Sequence, residues 1–453
     1  MRPGRPLIVL AVCAGWLALT TGYGAAATGS QVDLGGSPVP GGTGSTDQAR
    51  PTVLEPGLWT DSLGDAESPY RDHFFRYERQ IQNSTVHVGV VGESSDDYDG
   101  FELSATGPDQ TDCGSVSASP SDSSVPQAVF GAELTIGGSE PGDTSSPCLT
   151  AGEIDLKLER STQGSSKDDE LPVAIKVVEE APVPSAAELP APPDSPSYDR
   201  ITDVSGGEHV DGAGSFDAAP PVPLSGGRAD FSTSVTEGEE RLFRVPLAWG
   251  QALSVAAHAP KLDEKTYVDV RSYTGVAVSV QVVGPLRDTV TGAVSDVATS
   301  GSYDDSEPLD LSDALPPVGY LNRWSSLPAD VPGDYWISIA ASPKPDAVDE
   351  PLAVPLDVAV ELTDQSGAPS YSGGVLAQGG GKFTGSYDPA RPFLIGPGQF
   401  AAVASGSPVA PGDEDSGWWG TRRYAGLALL VAGAASCAAG LWRLRASSRR
   451  HPR

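Results

Sequence analysis

Leu171-Pro172-Val173-Ala174-Ile175-Lys176-Val177 decides how this chain folds. Val173, Ile175 and Val177 alternate with Ala174 and Lys176, so large apolar groups fall on one side of an extended backbone. Ile154, Leu156 and Leu158 alternate in the same way with Asp155 and Lys157, and Leu356, Val358 and Val360 with Asp357 and Ala359. β-branched residues at period two, bounded by Gly, Pro and Asp turns, mean half-buried strands. The exported part contains no amphipathic helix of three turns. The expected fold is therefore all-β: two tandem antiparallel β-sandwiches of jelly-roll type, followed by one C-terminal transmembrane helix.

These strands recur. Phe75-Arg76-Tyr77 matches Phe243-Arg244-Val245, and Thr85-Val86-His87-Val88 matches Leu253-Ser254-Val255-Ala256. Gly152-Glu153-Ile154-Asp155-Leu156-Lys157-Leu158 matches Gly333-Asp334-Tyr335-Trp336-Ile337-Ser338-Ile339. Leu171 to Val177 matches Val354 to Val360. Four blocks in the same order suggest two copies of one unit.

The two ends of the chain say where it works. Tyr424 to Trp442 carries no charge and, as a helix, spans roughly 28 Å, close to the thickness of a bilayer's hydrocarbon core. Trp418, Trp419 and Tyr424 stand at its outer end. Trp442 stands at its inner end, and Arg443, Arg445, Arg449, Arg450 and Arg453 follow. Aromatic belts and an excess of Arg on the cytoplasmic side are the marks of a membrane anchor. At the N-terminus, Arg2 and Arg5 precede an apolar stretch from Leu7 to Leu19 and the small residues Ala25-Ala26-Ala27. That order is a secretory signal peptide over 1–27, with an uncleaved anchor as the alternative. The expected location is the cell membrane, single-pass, with the N-terminal part outside and a short tail in the cytoplasm.

The 453 residues carry a formal charge of −31. Seven arginines and no acidic residue lie in the leader and tail, so the exported part is seven charges more acidic still. Such a surface repels nucleic acid and anionic lipid, and it stays well solvated. Gly and Pro make up about a fifth of the chain, which implies many turns and linkers. Arg in preference to Lys, with abundant Ala, Gly and Pro, is associated with GC-rich genomes such as those of actinobacteria. Of four cysteines, Cys13 lies in the leader and Cys437 in the span. Cys113 and Cys148 remain in an oxidising setting, where a disulfide is expected and two free thiols are the alternative.

Along the chain, 28–51 reads as a disordered arm and 52–180 as the first sandwich. A Pro-rich linker over 181–197 reads as a semi-rigid spacer. The second sandwich spans 198–362. A Gly-, Pro- and Ser-rich stalk over 363–417 leads to the helix at 424–442 and the basic tail at 443–453, with Phe383, Phe393, Leu394, Ile395 and Phe400 candidates to dock back on the second sandwich.

Phe231-Ser232-Thr233-Ser234-Val235-Thr236-Glu237-Gly238-Glu239, then Leu242 to Leu247, then Gly250 to Val255, resembles the bacterial pre-peptidase C-terminal domain. Gly333-Asp334-Tyr335-Trp336-Ile337 looks like that family's late Gly-x-Tyr strand. The string Gly206-Gly207, Gly214-Ser215-Phe216-Asp217-Ala218-Ala219 and Trp249-Gly250-Gln251 is similar to the membrane-proximal region of actinobacterial surface proteins that carry a von Willebrand factor A domain. The Asp-x-Ser-x-Ser metal motif of that head domain is missing here. The resemblance implies stalk modules without their ligand-binding part.

The sequence offers little chemistry. Gly-x-Ser-x-Gly and His-Glu-x-x-His are absent, so neither a nucleophile elbow nor a zincin helix has a candidate. Gly379-Gly380-Gly381-Lys382-Phe383-Thr384 fails as a phosphate loop, because Phe383 stands where a hydroxyl must hold magnesium. His87 and His258 fall on strands in roughly corresponding places, which suggests a structural position. Ser95-Asp96-Asp97-Tyr98-Asp99-Gly100 is the best metal candidate, with Asp97 and Asp99 as calcium ligands. Asp304 and Asp305 make a second acidic turn. The expected function is a non-enzymatic display and docking scaffold for a surface protein or cell-wall polymer. It uses no cofactor beyond a structural calcium, and Tyr320, Trp324 and Tyr335 are candidates for a contact patch. The alternative is a calcium- or carbohydrate-binding accessory module of an extracellular hydrolase system.

Overall fold

The computed structural model describes residues 32–64, 70–93, 99–120, 129–161, 170–192, 201, 203–271, 274–290, 298–325, 327–345, 348–364, 367–380 and 387–402. All of them belong to one compact unit, Met1–Ser407; a second unit, Pro408–Arg453, lies outside the described residues. So do the leader over 1–27 and the anchor residues Trp418, Trp419, Tyr424, Trp442, Arg443 and Arg445. Among the described residues no helix is long and apolar enough to cross a membrane.

The fold is all-β. Its first half contains β1 (Ser37–Pro38), β2 (Thr52–Leu54), β3 (Gly57–Leu63), β4 (Asp72–Glu78), β5 (Thr85–Glu93), β6 (Phe101–Thr106), β7 (Asp112–Ala118), β8 (Val129–Ile136), β9 (Glu153–Arg160) and β10 (Leu171–Glu180). The second half contains β11 (Glu208–His209), β12 (Arg228–Thr236), β13 (Glu240–Leu247), β14 (Gln251–Ala259), β15 (Val276–Val283), β16 (Thr289–Val290), β17 (Ser300–Tyr303), β18 (Leu309–Leu315), β19 (Gly333–Ala341) and β20 (Ala353–Asp364). β21 (Phe393–Gly396) and β22 (Gln399–Ala401) follow.

In the first half, the order β1-β3-β10-β5-β8 makes one sheet and β2-β4-β9-β6-β7 the other. In the second, β11-β12-β20-β14-β18 faces β13-β19-β15, with β16 and β17 on β15. The four blocks matched in sequence lie on β4 and β13, β5 and β14, β9 and β19, and β10 and β20. Each pair holds the same place in its sheet. Each half is sandwich-like, with its own apolar core: Phe75, Tyr77, Val88, Leu156 and Ile175 in the first, and Phe231, Phe243, Val255, Ile337 and Val358 in the second.

Strands β4 and β9 bury alternate residues, as one-sided sheets do. Strands β5, β10, β15 and β19 are buried on both faces nearly throughout. The reason is a third core. Leu58, Val91, Val129 and Ala174 from the first half pack on Leu242, Val283 and Trp336 from the second, with Phe216 and Ala219 beside them. The inner sheets thus press together, and the two halves form one stack rather than two beads. Lys176, on the side of β10 opposite its large apolar residues, is buried in this junction and donates from Nζ to the Pro285 carbonyl at 2.6 Å.

Two expectations about connecting segments change accordingly, and a third is widened. The arm expected to be disordered is ordered from Val32 onward: β1 pairs with β3, Val39 enters the first core, and Val32 and Leu34 join the junction. Apolar residues at alternate positions, hidden in a Gly-rich composition, explain this. The Pro-rich segment is no spacer in its first part, since Ala181, Val183 and Ala186 are buried and Val183 packs near Tyr320. The stalk docks on both halves: Phe393 and Ile395 pack with Leu286 and Val331 of the second half, as expected, and also with Val178 of the first. Its Phe393, Leu394 and Ile395 are buried, and β21 pairs with β10 of the first half.

Cys113 and Cys148 form a disulfide, with Cα atoms 5.6 Å apart. It links β7 to a one-turn helix, Pro147–Thr150, under the first core.

Candidate functional site

The alternation that builds the inner sheet also sets its outward face. On β5 the residues pointing away from the first core are His87, Gly89 and Val91. On β8 they are Gly131, Glu133 and Thr135, and on β10 Ala174, Lys176, Val178 and Glu180. Gly89 and Gly131 have a clear reason to lack side chains. A Cβ on Gly89 would stand 1.6 Å from the Leu286 carbonyl oxygen, and one on Gly131 1.9 Å from that of Arg287. The turn between β15 and β16 therefore seats directly on the sheet.

Around that seat lies a buried charge cluster. His87 Nδ1 is 2.7 Å from Glu133 Oε1, and its Nε2 is 3.0 Å from Glu180 Oε2. Arg323 donates from Nη1 to Glu180 at 2.6 Å and from Nη2 to the Asp330 carbonyl at 3.1 Å. Tyr371 donates its hydroxyl to Glu180 at 2.7 Å. Thr135 donates to Glu133 at 3.0 Å. The Arg323 guanidinium lies 3.9 Å from the centre of the Tyr320 ring. Trp324 donates from Nε1 to the Gly138 carbonyl at 2.9 Å. Both halves and the returning C-terminal segment thus meet at one place.

The electrostatics follow from that enclosure. Burial opposes a charge on His87, but the hydrogen-bonded Glu133 and Glu180 push it up to about 9. Burial favours a neutral Glu180, yet Arg323 and His87 outweigh it and hold the carboxyl at about 2. Burial and then the Glu133 charge push Asp330 up to about 7 and Asp288 well above the carboxylate range. Burial, then the nearby Arg287, hold Lys176 far below its usual range. Arg287 is itself enclosed, with Phe216 3.8 Å and Trp336 4.4 Å from its guanidinium carbon. Its nitrogens make no hydrogen bond to the described residues, and burial lowers it to about 9.

The residues singled out in sequence lie elsewhere or play other parts. Asp97 is outside the described residues. Asp99 accepts on both carboxylate oxygens from Arg160, at 2.9 and 2.7 Å, in a buried bidentate pair. Asp304 caps its own turn through Ser306. His258 pairs with Asp310 at 2.8 Å away from the junction. Tyr335 is core, and its hydroxyl donates to the Val331 carbonyl; Tyr320 is buried, and Trp324 bonds across the junction. These three rings do not form an exposed contact patch.

Sequence reasoning missed Glu133, Glu180, Arg323 and Asp330. The available signal was the polar or small residue at every second position of strands otherwise rich in valine.

A second feature lies on the outer sheet of the first half. Gln48, Pro51, Phe74, Gln110, Asp155 and Lys157 line a groove of about 210 Å³.

No protein-family model and no curated relative matches this sequence. Among solved structures, similarity extends to infectious bursal disease virus, Gt strain, at 11% identity over 70% of this chain and 72% of that one, with a TM-score of 0.20. It extends to the empty particles of cowpea mosaic virus at 10% identity, 72% and 95% coverage and a TM-score of 0.18. It also extends to the glycosylasparaginase PNGase F of Flavobacterium meningosepticum at 8% identity, 69% and 98% coverage and a TM-score of 0.17. At these scores the neighbours carry no argument about what this chain binds or does.

Proposed function

We propose that this chain is a membrane-anchored surface scaffold, acting by display and docking rather than by catalysis. Two tandem jelly-roll-like units would stand outside the membrane on the span 424–442, with 443–453 in the cytoplasm. The observation that carries the reading is the junction. Chain segments before, between and after the two halves all return to it, which favours a rigid block over tethered modules. A block suits a protein that holds a partner, a protein or a cell-wall polymer, at a fixed distance from the membrane. The resemblance to stalk modules of anchored surface proteins supports the same reading.

The test is to express the full-length chain with a C-terminal tag in an actinobacterial host. Protease added to intact cells should remove the exported part and leave the tagged tail in the membrane fraction. Recovery of the intact chain from the cytoplasm or the medium overturns the reading.

The outer groove favours a second reading, a carbohydrate-binding module. Phe74 offers an apolar ring face, Gln48 and Gln110 offer amides, and the opposite charges of Asp155 and Lys157 suit an uncharged saccharide. Retardation of the chain in gels containing neutral wall glycan, abolished by Phe74→Ala, supports that reading; unchanged mobility removes it.

A further inference from the structure

We propose that His87, Glu133 and Asp330 form a first-row divalent metal site that ties the two halves together, with Glu180 as the residue that orients the histidine. One ligand atom from each of the three lies within 4.8 Å of the others. His87 and Glu133 come from adjacent strands of the first half, where Glu133 sits opposite Gly89, two places from the partner of His87. Asp330 comes from the second half, just before β19.

The surroundings have the form of a supporting shell. Metal-bound histidines commonly donate their second ring N–H to a carboxylate, which fixes the tautomer and aims the other nitrogen. His87 Nε2 stands 3.0 Å from Glu180, and Glu180 is fixed by Arg323 and Tyr371. Nδ1 is then directed at Glu133. At metal–ligand distances of about 2.0–2.2 Å, ligand atoms stand roughly 3–3.5 Å apart. The 2.7 Å contact between Nδ1 and Glu133 needs to open by less than an ångström. Three carboxylates share two cations at the centre: Glu180 pairs with both Arg323 and His87, Glu133 pairs with His87, and Asp330 Oδ2 lies 3.7 Å from Arg323 Nε. Side chains of Glu133 and Asp330 keep 11% and 13% exposure, so the site is not sealed from solvent.

One imidazole and two carboxylates suit zinc or manganese. Calcium asks for six to eight oxygens, which this set does not supply.

The experiment uses the full-length protein in detergent, stripped with chelator and titrated with zinc sulfate or with calcium chloride. Bound metal is counted by mass spectrometry and affinity measured by calorimetry. The expected result is one zinc per chain, little calcium, and a melting temperature that rises with zinc concentration. His87→Ala and Asp330→Asn should each abolish that zinc. Glu180→Gln should weaken it about 10- to 100-fold while leaving the stoichiometry at one. Circular dichroism checks that each variant is folded, and Asp330→Asn, at the end of a loop, is the variant that perturbs a strand least. No bound zinc overturns the proposal. So does zinc that folded Asp330→Asn retains, or zinc lost on His209→Ala at the exposed His209–Asp211 pair.

Discussion

Gly89 and Leu286 meet so closely across the junction that a Cβ on Gly89 would stand 1.6 Å from the Leu286 carbonyl oxygen. The obstacle is backbone, so it cannot turn aside as a flexible side chain would. Gly89→Val should therefore part the halves or distort β5, at a cost of about 3 kcal/mol or more, beyond ordinary core overpacking. Limited proteolysis should show cutting near 181–192 and 367–380 in the variant and little in the parent. Gly131→Ala should act alike, for the same reason at Arg287.

Arg323 and Glu180 pair inside the junction at 2.6 Å, and both side chains are almost fully enclosed. Removing one partner strands the other as a buried charge. Arg323→Ala should destabilise by about 3–5 kcal/mol, measured as the shift of a urea midpoint at constant slope. Replacement of surface pairs such as Arg50 with Asp47 should change little.

The disulfide closes a loop across a sequence separation of 35. Reduction, or Cys113→Ser with Cys148→Ser, should lower stability by about 3–4 kcal/mol in the chain-entropy account. The loss should appear as a lower melting temperature with the strand signal in circular dichroism retained below it.

Burial pushes Glu93 up to about 8 and Glu240 up to about 7, from 4.5. Glu93 receives the Val32 N–H, and Glu240 receives the Val129 N–H from across the junction. Between pH 4.5 and these values the unfolded chain has released protons that the folded chain keeps. Stability is therefore full at pH 4.5 and falls as pH rises toward 7 and 8, by about 1.4 kcal/mol per unit for each group. His87, raised from 6.5 to about 9, adds the same sign at the upper end. Glu180, held at about 2, gives stability that is lost only on acidification below 4.5. Melting temperatures should decline from about pH 5 to pH 8, and Glu240→Gln should flatten the slope.

Much of the sheet structure was legible from Val173, Ile175 and Val177 and their counterparts, because the pattern of a strand is local. The pairing of Cys113 with Cys148 followed from compartment and number. The junction was not legible. Lys176, His87, Glu133 and Glu180 occupy the alternate positions that normally face water, and a polar residue there looks the same whether it meets solvent or a second sheet. Gly89 and Gly131 were equally silent, since a glycine's need for close approach depends on a turn more than 150 residues away. The ordering of Val32 and Leu34 was masked by the Gly and Ser around them.

The central claim is that the two halves behave as one body through their junction. Differential scanning calorimetry of the full-length protein in detergent tests it most directly. The account predicts one transition for 32–402 whose calorimetric and van't Hoff enthalpies agree, resolving into two in Gly89→Val. Two separate transitions in the parent protein, unmoved by Gly89→Val or Arg323→Ala, would contradict it.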